Sequence, residues 1–249
     1  MKIAWLALML LVALPLRADD TAWAPKKDAS KDATINERAM ETFEAGVKPE
    51  WGYAAPQQDT FIVVHPKVER KQAPLYVVLH SAGHDVVSCV NCTRTVGNHD
   101  IYRSPDDHYA LYVDCRKNTA RDWWWGGMHA KDQGLIKRNS GGDPMPVEKR
   151  VIDTVKWVIQ KYEIDPNRVY LSGNSMGGSG TLGIGMRHGD VFAAIKANVP
   201  AGIEHVSDRM YFPPLSVPEN VNLPDPPVAI DYSGQNDGWA AGHDRFVKA

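Results

Sequence analysis

Apolar residues in this chain are arranged in two ways, and each predicts a different element. Thr60-Phe61-Ile62-Val63-Val64-His65-Pro66, Leu75-Tyr76-Val77-Val78-Leu79-His80 and Tyr109-Ala110-Leu111-Tyr112-Val113-Asp114 are nearly continuous apolar runs. The first run predicts a strand stopped by its proline, and the second and third, without polar alternation, predict strands buried on both faces of a parallel sheet. From Val147 to Tyr162 the pattern changes, because Val147, Val151, Val155, Val158, Ile159 and Tyr162 recur at three- and four-residue steps. That spacing predicts an amphipathic helix, ended by Asp165-Pro166. Beyond it the chain predicts a strand from Arg168 to Ser172, a helix reaching Arg187 and a strand from Phe192 to Ala197. A proline-rich stretch from Pro213 to Pro227 and the strand Val228-Ala229-Ile230-Asp231-Tyr232 follow. Strands alternating with helices imply an α/β class with a mainly parallel sheet and helices on both faces. Ligands on such a sheet bind at the carboxyl ends of the strands.

The N-terminal part reads differently. Lys2, the apolar run Ile3 to Leu14 and Pro15-Leu16-Arg17-Ala18 have the layout of a secretory signal peptide, too short to span a bilayer. Residues 1–18 are therefore expected to be removed, which implies a secreted or periplasmic protein with no membrane attachment after cleavage. Residues 19–58 are polar and weakly patterned and predict an extended lead-in, with a short helix near Asn36 to Ala45. Residues 59–249 are then one α/β domain, long enough for a well-buried core. Twenty-eight basic residues against thirty acidic ones leave no basic block, so nothing points to nucleic acid as a partner.

Three cysteines, Cys89, Cys92 and Cys115, in a chain bound for an oxidising compartment predict one disulfide and one spare thiol. Cys89-Val90-Asn91-Cys92 has the C-x-x-C spacing of redox and zinc sites. No second C-x-x-C follows, however, and His99 and His108 lack a tight ligand spacing. The expectation is a bridge from one of the pair to Cys115, with no metal and no cofactor.

The candidate chemistry centres on Gly173-Asn174-Ser175-Met176-Gly177, which lies between the strand Arg168 to Ser172 and the small-residue segment from Gly178. A serine hydroxyl becomes a useful nucleophile when a tight strand-to-helix turn holds it exposed at the positive end of a helix. Glycines at Gly173 and Gly177 let the backbone turn sharply and let strand and helix approach closely. Such a nucleophile also needs backbone N–H donors for the oxyanion of its tetrahedral intermediate. Met176, just after the serine, and Ala82, in the loop His80-Ser81-Ala82-Gly83-His84, are the candidates.

The segments Pro74 to Gly83, Asp165 to Gly178 and Tyr232-Ser233-Gly234-Gln235-Asn236-Asp237 together resemble the secreted α/β-hydrolases grouped with polyhydroxybutyrate depolymerases and feruloyl and acetylxylan esterases. The resemblance runs with gaps from Thr60 to Trp239. It implies the α/β-hydrolase fold and a serine carboxylic-ester hydrolase acting on an acyl-decorated polysaccharide or a polyester. Ser175 is then the nucleophile, and Asp237, matching a glycine-x-x-aspartate pattern, is the triad acid ahead of Asp231. Where the family's oxyanion loop reads histidine-glycine, this chain has Ser81. The family places its triad histidine after one more helix and strand. His243 is the only histidine beyond Asp237, so either His243 is the base or the sequence is a truncated copy lacking the last strand.

His80 is expected in a structural or substrate-contacting role. Asp122-Trp123-Trp124-Trp125 follows the third strand, and Trp124 and Trp125 read either as a wet rim for sugar or aromatic acyl groups or as core packing under a lid. Two other readings stand beside the esterase. One is a serine peptidase of the prolyl-oligopeptidase type, which shares the turn. The other is a non-catalytic carbohydrate-binding protein on the same scaffold.

Overall fold

The computed structural model describes residues 23–53, 56, 58–97, 99–115, 124, 144–201, 206 and 222–234. Its strands are β1 (Lys26–Lys27), β2 (Ala33–Ile35), β3 (Arg38–Gly46), β4 (Gln58–Val64), β5 (Leu75–Leu79), β6 (Tyr109–Val113), β7 (Val169–Asn174), β8 (Ala194–Asn198) and β9 (Val228–Tyr232). They form one sheet in the order β1-β3-β4-β6-β5-β7-β8-β9, with β2 also paired to β3. From β6 to β9 every pairing is parallel, and from β1 to the β4–β6 pair every pairing is antiparallel.

Side chains along a strand point to alternate faces, and this sorts the apolar runs into two cores. Phe61, Val63, Leu75, Val77, Leu79, Leu111 and Val113 belong to one cluster. Their neighbours Ile62, Val64, Val78, Ala110 and Tyr112 belong to the other. Helices cover both. Helix α1 (Val86–Cys92) packs Val86, Cys89 and Val90 into the second cluster. Helices α2 (Pro146–Lys161) and α3 (Met176–Gly185) pack into the first. The expected stripe Val147, Val151, Val155 and Val158 is buried, and the partly buried Trp157 sets its ring edge-on to Phe43 and Phe61, 5.2 and 5.7 Å away.

The structure differs from expectation before residue 58. The segment around Asn36 to Ala45 is no helix. Ile35 pairs with Arg38 across a two-residue turn in which Asn36 and Glu37 both have positive φ, 49° and 64°. Two such residues are the requirement of a type I′ hairpin turn, which Asn tolerates better than most. Arg38, Ala39, Met40 and Glu41 favour helix locally, but seven register pairs from β3 to β4 override that preference. Arg38 is itself buried, donating to the carbonyls of His65 and His108 and to the Ser104 hydroxyl.

The expected disulfide is also absent. Cys89, Cys92 and Cys115 are all unbridged. Cys115 lies in the first core cluster, whereas Cys89 lies in the second and Cys92 packs against it, so a bridge to Cys115 would have to cross the sheet. Burial pushes the Cys89 thiol well above its ordinary range, which makes it an inert core group.

Candidate active site

Ser175 occupies the single residue between β7 and α3, with φ 54° and ψ −114°. A positive φ at a residue with a Cβ is strained, and here three backbone hydrogen bonds hold it. The Ser175 N–H donates to Asn198 O at 2.9 Å, while Ser175 O accepts from Ser179 N at 3.0 Å and Ala201 N at 3.1 Å. The turn is thus clamped to the end of β8, the next strand of the parallel part.

Packing of α3 explains its composition. All ten of its residues are buried. A Cβ on Gly177 would stand 2.0 Å from Leu79 O, and one on Gly173 would stand 2.2 Å from Gly177 O. Both glycines therefore serve close approach of helix, turn and strand, as the sequence implied. Among the described residues, neither the Met176 N–H nor the Ala82 N–H has a hydrogen-bond acceptor. Met176 is the first residue of α3, where an N–H has no intrahelical partner and the helix dipole is positive.

Ser81 ties the loop after β5 to this turn. Its hydroxyl donates to Asn174 O at 2.9 Å and accepts from Asn174 Nδ2 at 3.0 Å, beside the nucleophile candidate. It also lies 2.5 Å from the Tyr102 hydroxyl, which accepts from Ser81 N at 3.0 Å. Ser81 has no positive φ, whereas Gly83, two residues on, has φ 81°. The loop therefore takes its left-handed residue at Gly83 and uses the serine hydroxyl as a strut. Tyr102 was not singled out from the sequence. The only signal for it was an aromatic residue with a polar tip ahead of a buried strand.

His80 is buried rather than presented to a ligand, at 1% exposure. Its Nδ1 donates to Ser81 O at 2.9 Å, and its Nε2 faces Asp114 Oδ1 at 3.1 Å and the Cys115 N–H at 3.2 Å. Trp124 is wholly buried and donates from Nε1 to His80 O at 2.9 Å, with its ring edge-on to the imidazole. For Trp124 the packing alternative therefore holds: it lies against α3, where a Cβ on Gly180 would stand 2.4 Å from Trp124 Cβ. Asp231 is half-buried on β9, registered beside Ala197. Asp237, His243 and Trp125 lie outside the described residues.

Comparison with known proteins bears on the fold that carries this turn. A family model described as the prolyl oligopeptidase family matches residues 147–208, the stretch holding α2, β7, Ser175 and α3. A feruloyl esterase B of Talaromyces funiculosus is 30% identical over 134 residues, covering 54% of this chain and 34% of that relative. A feruloyl esterase B of Talaromyces stipitatus is 28% identical over 134 residues, covering 54% and 33%. The chain spans about a third of the length of these two relatives. Among solved structures, the S-formylglutathione hydrolase of Staphylococcus aureus superposes with a TM-score of 0.51 at 14% identity, over 87% of this chain and 85% of that one. A thermostable esterase gives 0.50 at 20% identity, over 84% and 57%. At such identities the likeness is one of fold, and the fold is that of the α/β-hydrolases.

Proposed function

We propose that this protein is a secreted serine carboxylic-ester hydrolase working through an acyl-enzyme on acyl-decorated polysaccharide or polyester. The observation that carries the reading is Ser175, held at positive φ on a clamped strand-to-helix turn ahead of a fully buried helix. In this mechanism Ser175 Oγ attacks the ester carbonyl and passes its proton to a histidine, His243, oriented by Asp237. The Met176 and Ala82 amides receive the oxyanion. As the tetrahedral intermediate collapses, the C–O bond to the alcohol breaks and the histidine returns its proton to the leaving oxygen. Water, deprotonated by the same histidine, then releases the acid and restores Ser175.

The feruloyl esterase likeness supports an ester of a polysaccharide-linked acid as substrate, and the apolar run Ile3 to Leu14 behind Lys2 supports secretion. Among the described residues no helix is long and apolar enough to cross a membrane. Buried His80 and Trp124 act in this reading as supports of the oxyanion loop, and the acyl group is met by residues outside the described set, Trp125 among them. The prolyl oligopeptidase match keeps a peptidase as the second reading.

The test is fluorophosphonate labelling of the purified full chain, with turnover of p-nitrophenyl acetate, methyl ferulate and a prolyl p-nitroanilide. Label and ester turnover that vanish in Ser175→Ala and His243→Ala support the proposal as written. Turnover that survives in His243→Ala removes that residue as the base. Anilide cleavage without ester cleavage favours the peptidase. A folded protein that takes no label overturns the hydrolase reading.

A further inference from the structure

The loop that carries Ala82 continues into a cluster that the proposed ester chemistry does not use. His84, Cys92 and His99 each turn a ligand-type atom to one spot, and these atoms lie within 4.8 Å of one another. His84 Nδ1 is 3.9 Å from Cys92 Sγ. Donor atoms around a tetrahedral zinc ion sit about 3.4–3.6 Å apart, given zinc–nitrogen and zinc–sulfur bonds of about 2.0–2.3 Å. A closure of tenths of an ångström at that pair, and of no more than about 1.4 Å at any other, makes the set a coordination sphere.

Three separate pieces of backbone bring the atoms together. His84 stands just before Asp85, the N-cap of α1, where Asp85 Oδ1 accepts from Ser88 N and Ser88 Oγ accepts from Asp85 N, each at 2.8 Å. Cys92 ends α1, seven residues after that cap. Seven residues are close to two turns, so Cys92 returns to the face of Asp85, and its Cβ tilts back along that face toward His84. His99 sits in the left-handed region, φ 52° and ψ 48°, at the start of a one-turn helix, Asp100–Tyr102. Asp100 braces that turn by accepting from Gly97 N with both carboxylate oxygens at 3.0 Å. Tyr102 supports both imidazoles, stacked on His99 at 5.5 Å and edge-on to His84 at 5.8 Å.

We infer that His84, Cys92 and His99 form a binding site for a zinc-class divalent ion, which pins the oxyanion loop to α1 and to the Tyr102 turn. Two imidazoles and one thiolate suit a borderline-soft metal and not calcium or magnesium, which take oxygen ligands. His99 is exposed while His84 and Cys92 are half-buried, so the fourth position faces water. The ion ties together pieces already linked by Tyr102 and Ser81, and its predicted effect is on the rigidity of that loop. It holds whether or not the protein hydrolyses esters. The C-x-x-C spacing does not mark this ligand set, because Cys89 of that pair is committed to the core and the histidines flank Cys92 in sequence on either side.

The test uses the full chain, reduced and stripped with a chelator, and titrated with Co2+ alone. Binding of one equivalent with a thiolate-to-cobalt charge-transfer band and the visible bands of a four-coordinate ion, displaced by one equivalent of Zn2+, is the expected result. Cys92→Ala should abolish the charge-transfer band. His99→Ala, an exposed position, should weaken Zn2+ at least tenfold while its circular dichroism stays that of the parent, and His108→Ala should bind as the parent does. Zn2+ should also raise the melting temperature of the parent and not of His99→Ala. A folded, reduced parent chain with no charge-transfer band overturns the inference. So does a band that persists in Cys92→Ala, or Zn2+ affinity unchanged in folded His99→Ala.

Discussion

The antiparallel flank and the parallel half of this sheet share β6 at their border, yet they are held by different means. In the flank, long side chains do the work. Glu41 on β3 accepts hydrogen bonds from Lys27, His65 and the Tyr162 hydroxyl, Lys31 pairs with Glu44, and Trp157 packs edge-on against Phe43 and Phe61. In the parallel half, α3 meets β5 and β7 backbone to backbone, with glycine where any side chain would collide. Long side chains can rotate and re-pair after a change, whereas a backbone contact has no freedom to yield. The flank should therefore lose stability by degrees, and the parallel half should fail abruptly.

Gly177→Ala is the sharpest challenge to that contrast. With Leu79 O only 2.0 Å from the new Cβ, the expected cost exceeds about 4 kcal/mol, read as loss of folded protein on expression or in a urea titration. A parent-like urea midpoint would show that the helix can slide and that the two halves do not differ.

Acid should act next, and on the flank. Burial alone would raise the Glu41 carboxyl, but the hydrogen bonds from Lys27, Tyr162 and His65 prevail and hold it at about 2 against an ordinary 4.5. A carboxyl held low in the folded state stabilises it above the unfolded value, and that stability is lost as pH falls from about 4.5 toward about 2, up to about 3 kcal/mol. Urea titrations over that interval should show the loss in the parent and a flatter profile in Glu41→Gln. Equal slopes in the two proteins would remove Glu41 from the account.

Ser81→Ala sharpens the contrast within the parallel half by deleting a side chain that bridges backbone pieces. It removes one hydrogen bond from Tyr102 and two from Asn174, at an expected cost of about 1–2 kcal/mol. If the loop positions the oxyanion donor, ester turnover should fall further than stability, in kcat more than in KM.

What the sequence made legible followed the same division. The parallel half was plain, because strands buried on both faces must be continuously apolar and Ser175 needs glycines around it. The flank was obscure. Arg38-Ala39-Met40-Glu41 favours helix, and its strand state is decided by pairing with β4 far along the chain. The turn at Asn36-Glu37 carries no glycine to announce it. At the candidate site, Ser175, Met176 and Ala82 could be named from local pattern. Tyr102 could not, because its role depends on a contact 21 residues away with Ser81. His80 and Trp124 drew attention as polar-tipped residues near strand ends, and only the packing shows that the imidazole is spent on Ser81 O, Asp114 and the Cys115 N–H and the indole on His80 O.

The clamp on Ser175 has one more consequence. Its amide and carbonyl are bonded to Asn198 and Ala201, at the far end of a strand that pairs with β7 only once β7 is in register. The strained posture of this serine is therefore a property of the assembled sheet and of no smaller piece. Any activity that depends on Ser175 can serve as a census of native molecules, since residual activity after heating or refolding counts whole proteins and has no contribution from partly folded ones.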